Sequence, residues 1–383
     1  MKKIFFFILL LMLGIANQSS LNAQDSTSQA KLQFSLLTCD AGDDLYTLWG
    51  HTAIRVVDSV NHTDIVYNFG SFDFNTPQFT AKFMRGDLLY FISANTYSDF
   101  LYEYQYFKRD VHEQVLKITD AEKINWYTEL QTNMIGNNRF YLYNFIYDNC
   151  TTRIKEGVFK HAPVNNYSIG IHSYREEIVS ACYKGGMGWV GLGIDLLLGA
   201  VADQSPNLQQ EAFLPKLLMQ KMALNPKLVL ATHYIKNKTE ESAKGVLPIN
   251  ILLVLLLLYA GVSFSKNKTA LFIGKSIDLI LLFILGLGGL LVAYMSWFSM
   301  HDACHQNFNI LWLHPFYLIA LLSYFISKKW TSYLGLLFFA TMLIVTIGNF
   351  WIPQHFSKAV IVLMAITMVL NARLILKNKH EHK

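Results

Sequence analysis

The chain has 383 residues, a formal net charge of +5 and a hydrophobic content of 52%, unevenly distributed. Residues 24 to 244 have the mix of an ordinary globular chain, whereas residues 246 to 376 are almost continuously apolar, which excludes a protein that is water-soluble along its whole length. The basic residues lie mostly in loops between apolar runs and form no patch, which excludes a nucleic-acid partner.

The first residues, MKKIFFFILLLMLGIANQSSLNAQ, combine Lys2 and Lys3 with a short apolar run and a polar stretch. They predict a signal peptide over residues 1–23, cleaved after Ala23, because the run is too short and wrongly flanked for a stable membrane span. A lipoprotein signal would need a Cys directly after that run, and Cys39 is too far downstream. Next come strands at 31–38 (KLQFSLLT), 52–57 (TAIRVV) and DIVYNFG, then strand signals at 88–94 and 113–118 and helical patterning at 119–135 and 150–160. The expectation is an α+β domain over residues 24–244.

Two features in this domain carry chemistry. In WGHTAIRVV, His51 opens a strand directly after a glycine, so its ring belongs to the rim of a sheet. A hairpin symmetric about residues 60 and 61 sets His51 opposite Gly70 and puts Asn68 on the same face, where a side-chain amide orients an imidazole. His62 is a rival orienter, but it falls in the turn. In YNFIYDNCTTRIKEGV, Cys150 starts a helix, where the dipole and free N–H groups favour a thiolate. Cysteine, histidine and a polar orienter are the parts of covalent acyl transfer.

Bland alternatives stand beside this. An exported thiol is more often structural, and a histidine at a strand edge is commonly a polar surface residue. Cys39 and Cys182 form the other soluble pair, open to a bridge, and Cys304 lies farther on. The segment GMGWVGLGIDLLLGAVADQ is too short to span, and its Asp195 and Asp203 suit capping or hydrogen bonding more than catalysis.

Five segments, at about 246–264, 277–298, 308–326, 330–350 and 357–376, are long enough to cross the roughly 30 Å hydrocarbon core. Lys266, Lys268 and Lys275, then Lys328 and Lys329, then Arg373, Lys377 and Lys379 occupy alternate loops and the tail. The positive-inside rule puts these in the cytoplasm and residues 24–244 in the periplasm. Residues 245–383 are thus expected to be a transmembrane domain with five helices. In its second loop, His301, Cys304 and His305 have helical spacing that could hold a metal. Hydrogen bonding or headgroup contact is the commoner use of such groups, and no metal is assigned.

The motifs YTLWGHTAIRV, YNFG, GDLLYFIS, YNFIYDNCTTR, WVGLGIDLLLG, EAFLPKLL and, in the membrane half, MHDACHQNFNILWLHP together resemble the Bacteroides-type lipoprotein N-acyltransferase family (Lnb). The order of His, polar residue and Cys is also similar to circularly permuted papain-like enzymes, the lecithin:retinol acyltransferase group and NlpC-type relatives among them. The resemblance implies an α+β periplasmic domain of permuted papain-like type followed by an all-α five-helix transmembrane bundle, in the inner (cytoplasmic) membrane. It implies Cys150 as nucleophile, His51 as base and Asn68 as orienter, although that superfamily often uses His at the third position. Tyr46, a candidate oxyanion donor, Asn149 of the DNC motif, and His301, Asn307 and Asn309 are the implied substrate-binding residues. The implied reaction moves an acyl chain from a phospholipid through a thioester to the N-terminal amine of a diacylated lipoprotein, with no cofactor. A membrane-tethered cell-wall amidase or endopeptidase would use the same Cys and His but need only one anchor. A non-catalytic scaffold would leave the pair idle.

Overall fold

Residues 31–238, 245–348 and 350–376 are described by a computed structural model. The expected signal peptide, its cleavage point, Lys377 and Lys379 lie outside the described residues. Strand β1 (Leu32–Cys39) turns back into β2 (His51–Asp58), and a tight hairpin leads to β3 (Thr63–Ser71). The registers Ile54↔Tyr67 and Asp58↔Thr63 give the hairpin the symmetry read from the sequence. The turn before β2 requires glycine: Gly50 has φ +81°, and a Cβ there would lie 2.4 Å from the Cys39 carbonyl oxygen.

A helix α1 (Phe79–Arg85), β4 (Leu89–Thr96), α2 (Tyr97–Tyr106), β5 (Val111–Leu116), α3 (Asp120–Asn133) and β6 (Phe140–Leu142) follow. Then come α4 (Cys150–His161), α5 (Tyr174–Lys184), α6 (Gly188–Leu197), α7 (Pro215–Ala223) and β7 (Val229–Ile235). Among the described residues, seven strands form one antiparallel sheet in the order β6-β4-β3-β2-β1-β5-β7. One face packs Phe34, Ile54 and Phe69 against α3, α4 and α7, with Phe34 stacked on Trp126 at 4.8 Å. The other face packs Leu37, Ala53 and Val66 against Phe100 and Tyr104 of α2. Covered on both faces, β1 is buried at every residue but Gln33, the polar Ser35 and Thr38 included. This is an N-terminal α/β domain built on an antiparallel sheet.

The C-terminal region is helical: α8 (Pro248–Phe264), α9 (Lys268–Trp297), α10 (Tyr317–Ile326), α11 (Lys328–Gly348) and α12 (Lys358–Leu376). By length and composition, α9, α11 and α12 can each cross a membrane, while α8 and α10 are apolar but shorter. The stretch expected as a span over 308–326 is broken into a 3₁₀ turn at Phe308–Leu311 and the ten-residue α10. Pro315 lacks an N–H and disfavours helical geometry at His314, so no continuous helix can run through the pair. Helix α9 starts well before residue 277 because the Asn267 side chain caps it by accepting from the Thr269 N–H at 2.8 Å. Its 30 residues are about 45 Å long, more than the hydrocarbon core needs. Arg373, counted above among the tail cations, is instead inside the bundle, with Nε 2.7 Å from Asp278, whose carboxylate also accepts from Tyr259 at 2.6 Å.

The two halves meet around α6. Its Leu192 belongs to the same apolar cluster as the spanning helices. Behind it, buried Arg175 donates to Asp195 Oδ1 at 2.7 Å, to both oxygens of Asp203, and to the carbonyls of Leu198 and Gly199. Both aspartates therefore serve as ion-pair partners that hold the segment after α6. Arg175→Ala is expected to lower stability by about 3–5 kcal/mol, since it leaves Asp195 buried and uncompensated. Thermal unfolding of the detergent-solubilised protein, with proteolysis between residues 198 and 206, checks this.

Candidate active site

The site begins with a turn. Asn144 and Asp148 exchange backbone hydrogen bonds at 2.9 and 3.0 Å, and Asn144 Oδ1 accepts from the N–H groups of Ile146 and Tyr147. Asn149 then caps α4: its Oδ1 accepts from Thr151 N and Thr152 N at 2.8 and 2.9 Å, and its Nδ2 donates to the carbonyls of Phe145 and Phe213. This leaves Cys150 at the first helical position, where its own N–H has no intrahelical partner. Asn149 is 3% exposed and both ends of its amide are engaged. The expected contact with substrate therefore has no free group to make it, and the residue positions the thiol.

The β-hairpin delivers the imidazole. His51 Nε2 is 3.1 Å from Asn68 Oδ1, which leaves Nδ1 as the ring nitrogen available to the Cys150 side chain. Burial pushes the Cys150 thiol up, but the charge and hydrogen bond of His51, the Thr52 N–H and the Thr151 hydroxyl outweigh it and hold the thiol below the ordinary cysteine value. The other three cysteines differ. Cys39, Cys150, Cys182 and Cys304 are all unbridged, and burial pushes Cys39 and Cys304 up to about 12 and Cys182 up to about 11. His62 sits in the exposed hairpin turn at φ 53°, at the far end of the strands from Cys150.

Gly70 makes the site close-packed. Its φ is +89°, and a side chain there would stand 3.4 Å from Cys150 Cβ, 3.5 Å from the Tyr143 ring and 3.9 Å from the Tyr141 hydroxyl. That hydroxyl is buried and has no hydrogen-bond partner of good geometry. Burial, then the Cys150 charge, pushes the ionisation of Tyr141 far above the usual range, so it remains an O–H donor beside the thiol. The Arg153 guanidinium lies 3.7 Å over its ring while pairing with Asp148. The sequence offered Tyr46 as a candidate for such a donor, or else as a core aromatic. Tyr46 is instead 56% exposed, and its hydroxyl donates to Asp44 at 3.2 Å. Tyr141 sits on a strand of only three residues whose place is set by pairing with β4, a signal that no local pattern carries.

The expected membrane-side residues divide. His301 donates from Nε2 to the Phe83 carbonyl at 2.9 Å, and the neighbouring Met300 N–H donates to Arg85 O, tying α1 to the loop after α9. Asn307 and Asn309 are 3% and 1% exposed, and their Nδ2 groups donate to the carbonyls of Leu196 and Leu197 at the C-terminal end of α6. Their Oδ1 atoms accept from Asn309 N and Trp312 Nε1. Both buried amides are thereby clamps between the bundle and α6. The loop also touches the site turn directly: Asn144 Nδ2 donates to Asp302 Oδ2 at 2.7 Å, six residues before Cys150.

These features define a membrane protein with an extramembrane α/β domain in which a depressed thiol meets an imidazole and an amide, beside the helical bundle. Residues 19–175 match the Lnb N-terminal periplasmic domain, and residues 239–381 match the Lnb transmembrane domain. The chain belongs to the Lnb family. Its N-terminal part is periplasmic, and membership suggests a lipoprotein N-acyltransferase-type role in the membrane. No curated protein and no solved structure matches the chain.

The thiol has a direct assay. Because its folded value lies below that of an ordinary thiol, Cys150 should keep its reactivity toward iodoacetamide to a lower pH than a model cysteine does, and lose it as pH falls through the folded value. His51→Ala removes the main stabilising charge, so the profile should move to higher pH and the rate below neutrality should fall, by about tenfold for each pH unit that the profile moves.

Proposed function

We propose that this protein transfers an acyl chain from a phospholipid to the N-terminal amine of diacylated lipoproteins through a thioester on Cys150, in the inner membrane, with all five helices α8 to α12 contributing to the membrane domain. The observation that carries this reading is the 2.7 Å bond from Asn144 to Asp302, because it holds the turn leading into the thiol against the loop that closes a membrane-spanning helix. A lipid ester and a lipidated amine both present themselves at that depth, so a thiol there meets both substrates. A hydrolase of cell-wall peptides has no use for that contact.

The chemistry follows from the groups present. The Cys150 thiolate attacks the ester carbonyl carbon, and the charge that develops on oxygen is met by the Cys150 N–H and by the Tyr141 hydroxyl. Collapse expels the glycerol oxygen, which takes a proton from the His51 imidazolium and leaves as a lysophospholipid. The thioester then accepts attack by the lipoprotein amine, whose proton passes to His51. The thiolate leaves, and the amide is complete. Asn68 keeps the imidazole oriented with Nδ1 toward sulfur throughout. The likeness of a Cys–His–amide site reached in the order His, Asn, Cys to permuted papain-like enzymes supports the same roles.

Mass spectrometry of lipoprotein N-terminal peptides tests the reading. Cys150→Ala and His51→Ala should each abolish N-acylation while the protein still inserts, and the double variant should be no worse, since the two act as a unit. N-acylation that persists in Cys150→Ala overturns the thioester route, and cleavage of cell-wall peptides by the intact protein would favour a hydrolase.

Milder effects separate the supporting groups. Asn68→Ala should lower turnover by about ten- to a hundredfold. Tyr141→Phe should cost about a hundredfold in turnover, as loss of one oxyanion donor does, yet leave the iodoacetamide rate of Cys150 unchanged because no oxyanion forms in alkylation. A fall in both rates would assign Tyr141 to holding the thiol in place.

A further inference from the structure

A run of aromatic rings leads from the thiol to the membrane surface. The Tyr143 ring edge, beside Gly70 and Cys150, is the inner end. Tyr143 stacks on Tyr90 with centroids 4.4 Å apart, Tyr90 meets Phe72 at 5.3 Å, and Phe72 meets Phe79 at 5.8 Å and Phe74 at 4.9 Å. Phe79 stacks on Phe83 at 6.3 Å, and Phe83 meets His301 at 6.4 Å. Every step is a direct ring contact, with centroids between 4.4 and 6.4 Å apart.

The outer end of this run is left open. Phe74 is 62% exposed, Phe83 43% and Met84 37%, on an element pinned to the bundle by the Met300 and His301 hydrogen bonds. Next to those bonds, Trp297, Phe298 and Met300 at the end of α9 are 65%, 69% and 51% exposed. Aromatic side chains at the end of a spanning helix mark the headgroup level of a bilayer, so Phe83 and Met84 lie at that level too. Leaving such rings in water would cost roughly 25 cal/mol per Å² of apolar surface. An alkyl chain laid along them removes that cost.

We infer that the rings from Phe83 through Phe79, Phe74, Phe72 and Tyr90 to Tyr143 form the binding track for the acyl chain of a membrane phospholipid, with its ester at the Cys150 end. This rests on the proposed acyl transfer for its purpose, but binding can be read without turnover. Full-length protein carrying Cys150→Ala is reconstituted in phosphatidylethanolamine–phosphatidylglycerol vesicles with a phosphatidylethanolamine bearing a mid-chain diazirine, irradiated, and mapped by peptide mass spectrometry. Lipid adducts are expected on residues 72–90. Phe79→Ser should reduce them by about five- to tenfold, while Phe79→Leu, which keeps an apolar surface, should retain them. Adducts confined to α8–α12, or unchanged in Phe79→Ser, would overturn the track. Adducts on residues 72–90, together with a lack of N-acylation by the protein with Cys150 intact, would leave the track standing and remove the acyl-transfer reading alone.

Discussion

The arrangement around the thiol depends on one side-chain amide. Asn149 accepts from the first turn of α4 and donates to Phe145 and Phe213, and so decides where the helix begins and what it rests on. A slip of one residue in that start would rotate the first turn by about 100° and carry the Cys150 sulfur away from the imidazole. The hairpin contributes the other half with equal rigidity. Its register is fixed by the two different cores that it divides, because a one-residue slip would turn Ile54 and Val56 away from α3 and α4 and force them against α2, where small Ala53 packs. A thiol on a capped helix and an imidazole on a register-locked strand can thus be held beside each other without being adjacent in sequence.

A second constraint sets where this pair sits relative to the bilayer. The loop after α9 bonds to three separate parts of the α/β domain: α1 through Met300 and His301, the site turn through Asp302, and the segment after α6 through Ala303 and Gln306. Asn307 and Asn309 add the clamp on the end of α6. With so many independent attachments, the domain has little freedom to tilt on the bundle. The height of Cys150 above the hydrocarbon is then a property of the fold rather than of a flexible tether.

How much of this was legible in the sequence follows from the range of each interaction. His51 and Asn68 belong to one hairpin, so counting residues across its turn brought them together. Cys150 was marked by its place between a capping residue and a helix. Tyr141 was not legible, because its strand is three residues long and is positioned by β4, about fifty residues earlier in the chain. Asn307 and Asn309 look like substrate contacts in a polar loop, and only the carbonyls of α6, more than a hundred residues away, reveal them as clamps. The broken third segment was readable in hindsight from Pro315, but hydropathy averaged over a window conceals a single missing N–H. Helix α1 escaped notice because it has seven residues and no side-chain N-cap.

The Asp278–Arg373 pair bears on how the bundle comes to be assembled. The two residues are separated by 95 positions, and Asp278 emerges first. Until α12 is made, α9 carries a carboxylate whose partner does not yet exist, and a lone acidic residue costs up to about 2.5–3.5 kcal/mol on insertion scales, the upper figure holding at the centre of a span and less toward the edge where Asp278 lies. The length and apolarity of the rest of α9 can offset that amount, so it can enter the bilayer alone. Its rotational setting is a different matter. The face bearing Asp278 has a reason to point at one neighbour only after Arg373 arrives, so biogenesis ends with a pairing of the second and last helices that locks the bundle shut. A chain cut short before α12 would hold the earlier helices in the bilayer without a unique packing, and the cell's quality control would meet it as an unfinished membrane protein.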